Sequence, residues 1–242
     1  MRFHRMRVVP ATLIAASIVA GCEGAPITDS ARVGTLQSVS GDGQTGTVGV
    51  FLPQPIVVRL VDQFGSPVAG ETVAFEPSAA SAALGATAEP TTGVTGADGI
   101  ASTQLRLGTG TGPYRISATW PGLETGGITG PLQVIQFDAT ASAAPPAAMA
   151  IIAGNNQAGA ANTLLPVALT VRVADAFNNP VPDLTVIFVI ASGGGQLSVN
   201  EAVTNASGIA SSNWTLGPAV GAQSVSAVIP GVSPVTFTAT AQ

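Results

Sequence analysis

The chain has 242 residues, of which 46% are hydrophobic and only 9% are charged, and it contains no lysine. So little charge beside ample valine, leucine and isoleucine excludes a disordered polyelectrolyte, and the 29 glycines and 18 prolines argue against a helical bundle. The formal net charge of -5 excludes a nucleic-acid partner held by a basic patch, because such binding needs clustered basic side chains.

Residues 1–21 have the three-part layout of a secretory signal peptide. Three arginines precede an apolar run from Val8 to Ala20, which is shorter than the roughly 20 residues of a transmembrane helix. The segment Val19-Ala20-Gly21-Cys22 resembles a bacterial lipobox. That resemblance implies that Cys22 is acylated and becomes the N-terminus, so that the membrane is the partner of this end. An ordinary signal peptide that happens to contain a cysteine is the alternative.

Cleavage before Cys22 would also change the chemistry available to the chain. It removes the only histidine, His4, and leaves no lysine and no free thiol. Histidine, lysine and cysteine are the usual groups of proton-transfer and nucleophilic catalysis. A Ser–His–Asp or Ser–Lys arrangement and a histidine-based zinc site are therefore excluded. The sequence predicts a protein that is not an enzyme and that uses no cofactor or metal.

The rest of the chain consists of two copies of one sequence repeat. Residues 58–68 match 171–181 at an offset of 113, residues 99–102 match 208–211 at 109, and residues 137–141 match 237–241 at 100. Internal repeats of this kind define the domain organisation. The predicted division is a tether at residues 22–32, copy one at 33–141, an Ala/Pro linker at 142–147 and copy two at 148–242.

Within each copy, apolar residues alternate with polar ones at a period of two. Ile56, Val58 and Leu60 share one face while Arg59 takes the other, and Trp214 falls on an inward position of copy two. Short segments with this period, separated by Gly, Pro, Asn and Asp, indicate an antiparallel β-sandwich. No stretch after the tether shows a sustained helical period. The predicted fold is all-β, with one sandwich in each copy.

The residues that separate these strands resemble a known signature. Residues 59–75 are similar to the signature of bacterial immunoglobulin-like domains of the first group, the repeats of invasin- and intimin-type adhesins. Residues 204–217 and 237–241 resemble its second half, whereas copy one has Leu105 in place of the usual tryptophan. The resemblance implies two tandem Ig-like domains used in surface adhesion or as spacers, and it brings no catalytic residues.

Aspartates are the remaining candidates for chemistry. Asp62 and Asp175 occupy one position in the two copies, after a strand and before a turn with proline. This position predicts an Asx-type turn, in which the carboxylate accepts backbone N–H groups, rather than a catalytic pair. Asp42 and Asp98 could offer oxygens to calcium, which needs six to eight. Because copy two has Asn155 in place of Asp42, turn chemistry is the preferred interpretation there too.

Copy one has nine more residues than copy two between Gly122 and Phe137. The glycines and the proline of this stretch predict a surface loop over residues 123–136 rather than an added strand. Loops on rigid sandwiches are where recognition is usually carried, although a neutral insertion would also be tolerated.

The sequence therefore predicts a non-enzymatic, lipid-anchored protein of the bacterial cell envelope, at the outer membrane or the cell surface. Its Ig-like modules would serve surface adhesion or spacing. The alternative is a module that binds a glycan or an envelope protein through loop 123–136. The partner beyond the membrane is an unknown surface protein or glycan, or there is none.

Overall fold

The computed structural model describes residues 32–122 and 128–242. The predicted signal peptide at 1–21, the lipidation site at Cys22 and the tether up to residue 31 lie outside these residues. Within the described ranges, no helix has both the length and the apolar character needed to cross a membrane.

Copy one consists of eleven strands and one short helix. Alternating apolar residues and frequent turn residues give strands of 2 to 10 residues. The helix α1 (Ala79–Ala83) follows the fifth strand. The strands are β1 (Arg32–Val33), β2 (Thr35–Ser40), β3 (Gln44–Thr47), β4 (Ile56–Val61), β5 (Thr72–Pro77), β6 (Thr87–Glu89), β7 (Thr92–Val94), β8 (Ile100–Arg106), β9 (Gly112–Trp120), β10 (Ile128–Thr129) and β11 (Gln133–Ser142).

Copy two repeats this order without the helix and without an equivalent of β10, and its single first strand takes the place of β1 and β2. Asn213 interrupts the strand that corresponds to β8, so copy two has two shorter strands there. Its strands are β12 (Pro146–Ala153), β13 (Gln157–Gly159), β14 (Leu169–Asp175), β15 (Thr185–Ser192), β16 (Gly195–Leu197), β17 (Glu201–Val203), β18 (Ile209–Ser212), β19 (Trp214–Leu216), β20 (Gly221–Ile229) and β21 (Val232–Ala241).

The sheets of the two copies have the same strand order. A five-stranded sheet runs β3-β11-β9-β5-β7 in copy one and β13-β21-β20-β15-β17 in copy two. The facing sheet is β2-β4-β8-β6 in copy one, and β12-β14-β18 with the separate pair β16-β19 in copy two. Neighbouring strands in these sheets are antiparallel except where β3 and β13 pair in parallel with the last strand of their copy, β11 and β21. Copy one also has a separate parallel pair, β1-β10. The predicted all-β fold of two tandem sandwiches is confirmed.

The inward residues predicted from the alternation form two separate cores. Val58, Leu60 and Phe75 are fully buried in copy one, and Phe188 and Trp214 in copy two. Burial of such side chains contributes about 1.5–3 kcal/mol each and is the main stabilising term of the fold. The fully buried core of copy one ends at Ala141, and that of copy two begins at Met149.

Two local features differ from the sequence-based expectations. Strand β11 runs to Ser142 and β12 begins at Pro146, so the connection is three residues long and the linker predicted at 142–147 is too long at both ends. Helix α1 was not expected. Its N-terminal cap is Ser78, whose side chain accepts a hydrogen bond from the Ser81 N–H, and it accounts for the extra residues of copy one in this region.

Trp214 offers the sharpest test of the copy-two core. Its ring is fully buried, and its Nε1–H has no hydrogen-bond acceptor among the described residues. The side chain therefore acts through apolar packing alone, in spite of its polar atom.

We expect Trp214→Ala to lower the free energy of unfolding of copy two by about 3–5 kcal/mol, because it leaves a large cavity. Trp214→Phe is the matched control, since it keeps an aromatic ring and removes the unbonded N–H, and it should cost clearly less. Urea unfolding followed by circular dichroism measures both changes. Equal losses for the two variants would contradict the packing role.

Candidate functional site

The turn aspartates Asp62 and Asp175 were predicted to form Asx-type turns rather than a catalytic pair. Asp62 Oδ1 accepts hydrogen bonds from the backbone N–H groups of Phe64 and Ser66, both at 2.9 Å. Asp175 Oδ1 makes the same two bonds in its own turn, at 2.9 and 2.8 Å. The predicted Asx turn is confirmed in both copies. The two carboxylates lie at opposite ends of copy one, so the structure does not bring them together.

The aspartates considered for calcium also serve turns. Asp42 Oδ1 accepts the Asp138 N–H at 2.8 Å, and Asn155 makes the same bond to Thr238 in copy two at 2.9 Å. Asp98 Oδ1 accepts the N–H two residues further on, at 3.0 Å. In the described ranges, no three His, Cys, Asp or Glu side chains form a group that could hold a metal ion. An amide thus replaces a carboxylate at the Asp42 position with the hydrogen bond retained.

The second oxygen of Asp175 ties copy two to the connection that precedes it. Asp175 Oδ2 accepts the Ala144 N–H at 3.0 Å and the Asn179 side-chain amide at 2.9 Å. The same amide of Asn179 donates to the Thr109 carbonyl of copy one at 2.7 Å. A single carboxylate therefore holds its own turn, the connection and the end of copy one in one hydrogen-bond network.

These contacts set the ionisation of Asp175. Burial alone raises the pKa of a carboxyl, because it penalises the charged form. The hydrogen bonds from the Asn179 side chain and from the N–H groups of Ala144, Asn179 and Phe177 stabilise the carboxylate more strongly, so the pKa lies below its ordinary value. Asp175 is therefore a charged structural group rather than a proton donor at neutral pH.

Apolar contacts complete the junction. Phe177 follows Asp175 in the turn and packs against the end of copy one at Gly49, where an added Cβ would lie 3.2 Å from the Phe177 ring. Beside it lies a cleft of about 360 Å³, lined in part by Ala143, Pro180 and Val181. The lining residues carry no ionisable side chain, so the cleft offers no group for acid–base chemistry.

The copy-one insertion is not the simple surface loop predicted at 123–136. Residues 123–127 lie outside the described part of the chain. Ile128 and Thr129 form β10, which pairs in parallel with β1, and residues 133–136 belong to β11, with Gln133 opposite Trp120. In copy two only Pro230 and Gly231 stand between the corresponding paired residues. The prediction of a loop without a strand is wrong for these residues, because β10 pairs with β1 at the start of copy one and residues 133–136 pair with β9.

The insertion holds the first strands of copy one. The Gln133 side chain donates to the Gly34 carbonyl at 2.7 Å and accepts the Leu36 N–H at 2.8 Å, as a neighbouring strand would. Gly130 lies against Trp120, where an added Cβ would be 2.8 Å from the ring. Trp120 is fully buried and donates through Nε1 to Glu71 Oε2 at 3.2 Å. We call the contacts of Gln133 with Gly34 and Leu36 the Gln133 clamp.

Sequence reasoning missed this clamp, since its partners are almost one hundred residues apart and no local pattern marks them. Trp120 and Tyr114, the aromatic residues near the insertion, are both buried, so their rings pack in the core. The recognition role of the insertion stays a prediction, while its described residues have a structural role.

The fold and its turns define a class of protein, a tandem array of immunoglobulin-like sandwiches. The sequence profile of the bacterial Ig-like domain (group 1) family matches residues 150–242. This match covers nearly all of copy two, and the predicted similarity to invasin- and intimin-type repeats is confirmed. No curated protein sequence matches the chain.

Solved structures share the architecture. FdeC, an Escherichia coli adhesin, is 20% identical with a TM-score of 0.52, and the match covers 85% of this chain and 63% of that chain. The D00-D0 domain of intimin is 18% identical with a TM-score of 0.46, over 84% and 99% of the two chains. InvD of Yersinia pseudotuberculosis is 20% identical with a TM-score of 0.45, over 86% and 57%. At such identities the likeness to FdeC shows the fold alone, and this chain spans less than two thirds of it.

The lowered pKa of Asp175 predicts an acid-sensitive junction. The ionised Asp175 carboxylate stabilises the folded protein, and this contribution is complete well above the unfolded-state pKa of about 3.9. It is lost as the pH falls through the lower pKa of the folded state. We expect Asp175→Asn to cost about 1–3 kcal/mol at neutral pH, because two donors lose their acceptor. The variant should also show a smaller loss of thermal stability on acidification than the wild type.

Asp138→Asn is the control for this measurement. The pKa of the Asp138 carboxyl is also lowered, by its hydrogen bond from Arg115, but the pair is exposed and solvent screens it. Its substitution should leave the pH profile of calorimetric unfolding almost unchanged. An Asp175→Asn profile that parallels the wild type would contradict the role given to Asp175.

The clamp predicts that Gln133→Ala loosens the start of copy one. Loss of its two hydrogen bonds should lower the stability by about 1–3 kcal/mol and speed hydrogen exchange of the Leu36 amide. Gln136→Ala, at an exposed position of the same strand, is the control and should change neither quantity. Unchanged exchange at Leu36 in Gln133→Ala would show that the clamp does not hold this strand.

Proposed function

We propose that the protein is a non-enzymatic, lipid-anchored component of the bacterial cell envelope, whose two Ig-like sandwiches serve surface adhesion or spacing. The observation that carries the proposal is the tandem sandwich that begins at Arg32, shortly after the lipobox-like cysteine, Cys22. Such an arrangement would place a rigid two-domain array next to a membrane surface.

The lipid anchor is supported by the sequence of residues 1–22. A basic head, a short apolar run and the segment ending in Cys22 have the order of a lipoprotein signal, and Cys22 is the sole cysteine. Two or more acyl chains on one residue give a stable anchor, whereas a single chain is marginal. Cys22 is the residue that attaches the protein to its membrane partner in this proposal.

The absence of enzymatic activity is supported by how the carboxylates are used. Asp42, Asp62, Asp98 and Asp175 each accept backbone N–H groups through Oδ1, which gives these carboxylates a structural role. The processed chain would have neither histidine nor lysine. The family of copy two is a domain type that serves as a binding or spacing module.

The adhesive role is supported by the fold shared with FdeC, which is an adhesin. The junction adds a physical argument, because an adhesin or spacer must carry load between its domains. A connection of three residues, fastened by Asp175 and Asn179, is better suited to that task than a long flexible linker.

Attachment of cells under flow tests the function. Cells that lack the gene are complemented with the wild type, with Cys22→Ser, and with a variant in which Pro230-Gly231 of copy two replaces residues 121–132. Attachment to glass and to mucin-coated glass is counted for each strain. We expect only the wild type and the insertion variant to restore attachment, and the Cys22→Ser protein to leave the membrane fraction.

The other outcomes separate the alternatives. If cells that lack the gene attach as well as the wild type, adhesion is ruled out and spacing is left as the role. Loss of attachment to mucin alone in the insertion variant would favour recognition of a glycan through the insertion. Gln133→Ala is the control here, because it loosens the first strands while keeping the insertion.

A further inference from the structure

The turn after β4 carries a phenylalanine whose environment differs between the two copies. Phe177 of copy two packs on the end of copy one at Gly49 and is 45% exposed. Its counterpart Phe64 is 76% exposed, at the end of copy one where the chain enters. In copy two this phenylalanine thus meets the preceding sandwich, whereas the corresponding ring of copy one is largely exposed.

Two further exposed apolar side chains lie at the same end. Val33 is joined to the Phe64 turn through the hydrogen bond that its N–H donates to Gln63 Oε1. Leu132 precedes Gln133, whose side chain binds Gly34. We call Val33, Phe64 and Leu132 the entry cluster. All three are large apolar residues with exposed side chains, and such a grouping marks an interaction surface.

The surroundings of the entry cluster carry little net charge. Asp62 is buried and bound to its own turn. The exposed Asp98 is accompanied by Arg59, which donates through Nε to the Asp98 carbonyl at 3.1 Å. A surface of exposed apolar side chains with balanced charge suits an uncharged or zwitterionic partner rather than a strongly charged one.

The chain length between Cys22 and Arg32 limits the distance to a membrane. About ten residues at 3.3–3.6 Å each reach at most roughly 35 Å even when fully extended. If Cys22 is acylated, the entry cluster must therefore stay within this distance of the lipid surface. We propose, resting on the lipid anchor of the proposed function, that the entry cluster docks on the bilayer, with Phe64, Val33 and Leu132 in the interfacial region.

A second copy of this chain fits the entry cluster less well than a bilayer does. Gly49, against which Phe177 packs, corresponds to Asn162 in copy two. Both residues adopt a positive φ and donate their N–H groups to equivalent carbonyls. The Asn162 side chain stands where Phe64 of another molecule would need to pack. Asn179, which fastens the junction to Thr109, is replaced by Ser66 in copy one, so that hydrogen bond would also be missing.

Fluorescence quenching by brominated lipid tests the docking. The full-length acylated protein with Phe64→Trp is added to phosphatidylcholine vesicles, with or without bromine in the acyl chains. Both native tryptophans, Trp120 and Trp214, are fully buried and should contribute little quenching. We expect brominated vesicles to halve, approximately, the added emission, as for a ring about 5–10 Å inside the interface.

Val220→Trp is the matched control, because Val220 is 75% exposed at the far end of copy two. Its emission should be the same with both kinds of vesicle. Leu132→Trp is a second reporter of the entry cluster and should be quenched like Phe64→Trp, so that the result does not rest on one variant.

Flotation of the same samples separates the two proposals. Protein that floats with the vesicles without quenching at Phe64→Trp and Leu132→Trp would overturn docking and leave the anchor in place. Protein that does not float would overturn the anchor, and docking with it. A concentration-dependent blue shift of Phe64→Trp emission without vesicles would show that a second copy covers the entry cluster, which also overturns docking on lipid.

Discussion

The face-to-face packing of two sheets in each copy is the interaction on which the rest of this structure depends. The chain has a single cysteine, so no internal disulfide can reinforce the sandwiches. Each copy of about one hundred residues must gain its stability from one apolar core, and small domains have only a few kcal/mol to spare. Large buried rings such as Trp120 in copy one and Trp214 in copy two therefore carry much of the fold.

The two copies use one turn in two ways. In both, an aspartate closes the turn that follows β4 or its counterpart β14, and a phenylalanine stands at its tip. In copy two the spare carboxylate oxygen of Asp175 and the amide of Asn179 join the preceding copy, so hydrogen bonds fasten the junction. In copy one the Val33 N–H donates to Gln63 in this turn, and Phe64 at its tip is exposed. The same turn therefore forms the junction between the copies in copy two and an exposed surface in copy one.

Much of the fold could be predicted because its signals are local. The alternation of Ile56, Val58 and Leu60 lies within five residues, and the Asp62 turn closes within four. The sequence pattern therefore placed the inward residues and the turn hydrogen bonds correctly. It also separated the two copies through their repeated segments.

The remainder depends on contacts between distant residues or on elements too short for a periodic pattern. The Gln133 clamp joins residues 97 and 99 positions apart, so the residues around Gln133 looked like loop sequence. Helix α1 has five residues, fewer than the window in which a helical period is recognisable. Only Ser78, a cap followed by an alanine-rich stretch, could have indicated it. The linker was overestimated because proline and alanine also fit the strand start at Pro146.

The proposed role depends on attachment of the protein to a membrane, and Cys22 is the residue proposed to attach it. The most direct measurement is mass spectrometry of the N-terminal peptide of the protein purified from the cell envelope. The account predicts a peptide that begins at Cys22 and carries the mass of two or three acyl chains. A peptide that begins at Met1, or that contains Cys22 in unmodified form, would contradict it.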